Sequence, residues 1–70
     1  MYAEYRRQLE IAERMGLRVL AVHEGHRGWF AALESANGQH VNETRHHSPV
    51  AALSAAIDQA CERGLVEVVA

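Results

Sequence analysis

The chain has 70 residues, 49% hydrophobic and 23% charged, with a formal net charge of −2 and a pI near 6.2. That length supports one domain, residues 1–70, near the lower limit for a self-sufficient core, and the composition excludes a disordered chain. An acidic total, with seven basic residues that are all Arg, disfavours a dedicated nucleic-acid binder.

Residues 2–15 carry Tyr2, Tyr5, Leu9 and Ala12 at helical spacing, which predicts a helix with that stripe buried. Arg6, Arg7, Glu10, Glu13 and Arg14 fall on its other side, with Glu10 and Arg14 placed for an i,i+4 pair. Ile11 lies off the stripe and is expected exposed, and Gly16 is the stop. Leu17 to Glu24 is apolar and β-branched enough for a strand, and Gly25 to Gly28 is a polar turn. Gly28 to Ser35 is the second strand and Gln39 to Arg45 the third.

The turn between these two strands decides their register. A two-residue Asn37-Gly38 loop would set Glu34 across from Val41. A three-residue Ala36-Asn37-Gly38 loop, with Gly38 left-handed, sets Leu33 across from Val41. The apolar match favours the second, because a one-residue slip inverts every side chain. The core face is then Trp29, Ala31, Leu33 and Val41; the opposite face is Phe30, Ala32, Glu34, His40, Asn42 and Thr44.

Ser48-Pro49 opens a second helix, with a hydroxyl at the N-cap and proline in the first turn. Val50, Leu53, Ile57, Ala60 and Cys61 form its expected buried face, and Gly64 ends it. Leu65 to Val69 reads as a short last strand that joins an edge of the sheet or pairs with a second copy of the chain. The fold class is α+β: a single domain of order α-β-β-β-α-β, an antiparallel sheet with both helices packed on one face.

No constellation of residues points to catalysis. Cys61 is expected in an apolar stripe, where free Cys serves as a small hydrophobe, and Ser48 is explained by capping. Glu24, Glu34 and Glu43 would need a water-excluding pocket for acid–base work, and a chain this small has little room for one. Gly25-x-x-Gly28 follows a strand without opening a helix, so it lacks the phosphate-loop context. His23, His26, His40, His46 and His47 invite a metal reading, but structural zinc wants four ligands, mostly with Cys, and solvated histidines are the favoured reading. The expectation is therefore no enzyme, no cofactor and no metal. A lone cysteine, an N-terminus without the apolar core of a signal peptide and no run of about 18 apolar residues make a cytoplasmic setting the default.

The α-β-β-β-α order resembles the double-stranded-RNA-binding domain. In that family a basic segment opening the second helix contacts phosphates; here that segment is Ser48-Pro49-Val50-Ala51-Ala52-Leu53, without a cation, so the resemblance implies topology and not RNA contact. Residues 17–69, with Gly28-Trp29-Phe30-Ala31-Ala32 in the second strand and Ser48-Pro49-Val50-Ala51-Ala52-Leu53 opening the helix, resemble the partner-binding domain of HicB-type antitoxins. The same small open sheet is similar to phage-encoded inhibitors, anti-CRISPR proteins among them. These resemblances imply a non-enzymatic module that binds and modulates another protein, in a phage, mobile-element or toxin–antitoxin setting.

The expected contact patch is Phe30 with Glu34, His40, Asn42 and Thr44, and a second candidate is Arg6, Arg7 and Arg14 on the first helix. The runner-up is a nucleic-acid binder using Arg27, Arg45, His46 and His47; the third reading is a homodimeric structural protein joined through Leu65 to Val69.

Overall fold

The structure, a computed structural model, describes residues 2–67. Five elements follow in order: α1 (Tyr2–Arg14), β1 (Arg18–Gly25), β2 (Gly28–Glu34), β3 (His40–His46) and α2 (Pro49–Glu62). The strands form an antiparallel sheet of order β1-β2-β3. Both helices cover one face. α2 lies over β2 and β3, while α1 packs against α2 and β1. This is the α+β architecture expected.

The hairpin register is the expected one. Leu33 stands across from Val41 and Glu34 across from His40. Gly38, at φ +86°, takes the left-handed position of a three-residue loop. Ser35 N–H donates to Gln39 O at 2.8 Å and Gly38 N–H to Ser35 O at 3.0 Å. The buried Ser35 hydroxyl bonds to the Asn37 side chain and accepts from Gln39 N–H at 3.1 Å.

The core joins Ala12 and Leu17, Ala31, Leu33 and Val41 of the sheet, and Ala52, Leu53, Ala56, Ile57 and Ala60 of α2. Ser48 caps α2 by accepting Ala51 N–H at 3.0 Å. Both helices end in the same way: Leu17 N–H returns to Ala12 O and Leu65 N–H to Ala60 O, each at 2.9 Å, with a left-handed glycine between. This is the Schellman pattern, and each case returns an apolar residue to the core beyond the helix end.

Four expectations are corrected. Cys61 is exposed, not buried, because the buried arc runs through Ala52, Leu53, Ala56, Ile57 and Ala60, and Cys61 sits about a third of a turn from its centre. Ile11 is half-buried and packs on the core, since α1 touches both α2 and β1 and needs a wider apolar arc than one stripe. Tyr5 and Leu9 pack there too, with Ala12 fully buried; the Tyr2 side chain lies outside the described atoms. The Glu10–Arg14 pair is not among the ion pairs of the described residues. Finally, Leu65–Glu67 form no strand. Leu65 and Val66 pack against the core, and Glu67 N–H donates to Met15 O at 2.9 Å. The remainder of the expected last strand, Val68 and Val69, lies outside the described residues.

Candidate functional site: the open face of the sheet

Strand alternation sends every second side chain away from the helices. The β1–β2 register, closed by the two-residue turn His26-Arg27, sets Arg18 across from Glu34, Ala21 across from Ala32 and His23 across from Phe30. On the other side of β2, Ala32 faces Asn42 and Glu34 faces His40. The open face thus gathers Phe30, Glu34, His40, Asn42 and Thr44, with Arg18, Ala21 and His23 added from β1.

Its two ends differ. At the end near the β2–β3 turn, Glu34 holds the middle of a row across three strands. His40 Nε2 lies 3.1 Å from Glu34 Oε2, and Arg18 Nη1 lies 3.9 Å from Glu34 Oε1. At the other end, the Phe30 and His23 rings meet with centroids 4.8 Å apart and planes tilted by 39°. Phe30 is consequently half-buried and not fully exposed, while Trp29, on the helix side, is also half-buried and packs against the core. Between the two ends lie Ala21, half-buried, and Ala32, only 8% exposed, as a low strip.

Two bulges shape this face. In β1 the register shifts between Val19 and Ala21, which leaves Leu20 unpaired and 44% exposed. In β3 the shift falls opposite Phe30: Ala31 pairs with Glu43 and Trp29 with His46, so Thr44 and Arg45 together oppose Phe30. Arg45 takes φ +67°, a left-handed conformation rare for a residue with a side chain. Without that extra residue, alternation would turn Arg45 toward the helices and His46 toward solvent. With it, His46 is half-buried on the helix side, where its Nε2 lies 2.9 Å from Glu43 Oε1. Gln59 of α2 donates to the other Glu43 oxygen, so the carboxylate ties β3 to α2.

The candidate cations therefore separate. Arg27, Arg45 and His47 are exposed at one end of the sheet, whereas His46 belongs to the β3–α2 contact. Arg6, Arg7 and Arg14 are exposed on α1, in the helical layer away from the open face. Arg6 and Arg7, with Ala3 and Glu10, line a shallow hollow of about 460 Å³. Among the described residues, no group of three or more His, Cys, Asp or Glu is placed to hold a metal ion. No described helix is long and apolar enough to cross a membrane.

Sequence reasoning missed Arg18, Leu20 and His23. The signal for His23 was available: a two-residue turn between Gly25 and Gly28 sets it beside Phe30, whereas Arg18 faces Glu34 only because the register shifts by one between Val19 and Ala21. The bulge that exposes Leu20 had no comparable mark.

The geometry defines a small α+β domain with a helix-covered face and an open face. Comparison with known proteins returns no match among family models, curated proteins or solved structures.

Proposed function

We propose that this protein is a non-enzymatic interaction module that binds another protein through the open face of its sheet and modulates it. The observation that carries the reading is the tilted Phe30–His23 ring pair on a face that no described element covers. Aromatic side chains dominate contact energies where they are covered by a partner.

The edges of the sheet are poorer candidates than its face. Arg63 Nη1 donates to His40 O at 3.0 Å on the outer side of β3, and the bulge at Arg45 twists the same edge. On β1 the Leu20 bulge interrupts the edge, and Glu67 N–H occupies Met15 O just before the strand begins. Such devices discourage strand addition, and recognition through the face remains. A cytoplasmic setting, which rests on the composition, and a phage, mobile-element or toxin–antitoxin context of the HicB or anti-CRISPR kind, which rests on the element order and the β2 and α2 motifs, are part of the proposal.

A photo-crosslinking residue at position 30, and a control at Arg7 in the helical layer, test the reading in the native host. A discrete protein adduct from position 30 and none from position 7 is expected. Equal labelling from both positions, or no adduct from position 30, overturns it.

A second reading has its own observation. Arg27, Arg45 and His47 are gathered at one sheet end beside the N-terminus of α2, whose first turn carries no acidic residue. A nucleic-acid contact there would weaken steeply with salt. Absence of affinity for a generic duplex at low salt removes this reading.

A further inference from the structure

The two ends of the open face differ in electrostatic balance. Near the β2–β3 turn, the Glu34 carboxylate is flanked by the Arg18 guanidinium at 3.9 Å and by the His40 ring at 3.1 Å. At the opposite end the β1–β2 turn lies against the end of β3, so closely that a Cβ on Gly28 would stand 2.6 Å from His46 O. Arg27 of the turn and Arg45 of the bulge are both exposed there, and neither enters any ion pair among the described residues. Two carboxylates are nearby, and both fall on the helix side. Glu43 is held by His46 and Gln59, and Glu24 stands across from Trp29. Beside the Phe30–His23 pair, positive charge is therefore left without an internal counterpart.

From this arrangement we infer that the open face receives an acidic peptide segment of a protein partner, its carboxylates on Arg27 and Arg45 and its apolar side chains over Phe30 and the Ala21–Ala32 strip. The inference rests on the reading of the open face as the contact surface and adds the chemistry of the partner. Guanidinium groups match carboxylates with paired hydrogen bonds. A peptide needs only two or three acids at one end, followed by apolar contact, and this face runs in that order from basic end to alanine strip. A nucleic-acid strand fits less well. It carries a phosphate at every nucleotide, and beyond the two arginines it would cross Ala21 and Ala32, with the uncharged amide of Asn42 beside them, before reaching a Glu34 carboxylate that already holds Arg18 and His40.

Amide chemical shifts of the full chain, titrated with three probes, provide the test. The probes are a hexapeptide of three glutamates followed by Leu, Ala and Leu, its counterpart with three lysines, and hexathymidylate. The acidic peptide is expected to shift the amides of Arg27, Phe30 and Arg45 saturably, and to weaken about tenfold from low to high salt. The double reversal R27E/R45E is expected to lose at least about tenfold in that affinity, with amide shifts elsewhere unchanged. Binding of the lysine peptide to the same residues, tighter binding of hexathymidylate than of the acidic peptide, or an unchanged affinity in R27E/R45E overturns the inference. Crosslinking separates it from the broader reading: a position-30 adduct that persists undiminished in R27E/R45E keeps the face and refutes the acidic partner.

Discussion

The Arg63 guanidinium reaches from the end of α2 to the outer side of β3 and donates to the His40 carbonyl oxygen at 3.0 Å. A side chain from the helical layer thereby occupies an acceptor that an incoming strand would need. Glu34 meanwhile holds the His40 imidazole on the open face, so this one residue is restrained through both its backbone and its side chain.

The Arg63→Ala variant is expected to free that acceptor. Its folded state loses about 0.5–1 kcal/mol, the usual net value of one hydrogen bond. Its tendency to self-associate rises because an edge carbonyl becomes available. Sedimentation over a concentration series reads the second effect; identical behaviour of Arg63→Ala and the parent chain would show that Arg63 does not guard the edge.

Glu43 is the polar link between β3 and α2. Glu43→Ala leaves the Gln59 amide and the His46 ring without their partner in a half-buried site, and a loss of about 1–2 kcal/mol is expected. Glu43→Gln keeps an acceptor and loses less. A double-mutant cycle of Glu43→Ala with His46→Ala, measured by urea denaturation, should give a coupling of at least about 0.5 kcal/mol. Strict additivity would mean that the two side chains act independently.

Gly28 couples the β1–β2 turn to the β3 bulge. At φ +121°, and with His46 O where its Cβ would go, Gly28→Ala is expected to cost ~2–3 kcal/mol. Denaturant unfolding with an unchanged m-value checks this. Retained stability would show that the His46 carbonyl can move aside and that the bulge is loosely held.

Cys61 lies on the exposed side of α2. A thiol reagent is therefore expected to modify it fully in the folded state, without denaturant. Cys61→Ser should change stability by no more than about 0.5 kcal/mol, as is usual for surface substitutions. Protection of the thiol until the chain unfolds would return Cys61 to the core.

The elements and the β2–β3 register were legible in the sequence because their determinants are local. Helical spacing, the Ser48 cap, the glycine stops and the Ala36-Asn37-Gly38 loop each act within a few residues. The register followed from one apolar match, Leu33 with Val41, whose alternative would have turned the core strand inside out. Membership of the open face followed from the same alternation, which is why Phe30, Glu34, His40, Asn42 and Thr44 do share a side.

What lay between elements was decided only when they packed. The tilt of α1 against both α2 and β1 drew Ile11 into the core, and the rotation of α2 on the sheet put Cys61 outside. The bulges at Leu20 and Arg45 broke strand alternation. Nothing in either strand marks them, because a bulge answers to the fit of strand against neighbour and not to a local preference. That extra residue separated His46 from His47, sending one to Glu43 and leaving the other in solvent. Local sequence thus determined which elements form and which faces are apolar, since those depend on spacing along one chain segment. Tertiary packing decided which cations stay free beside Phe30, since that depends on where separate segments meet.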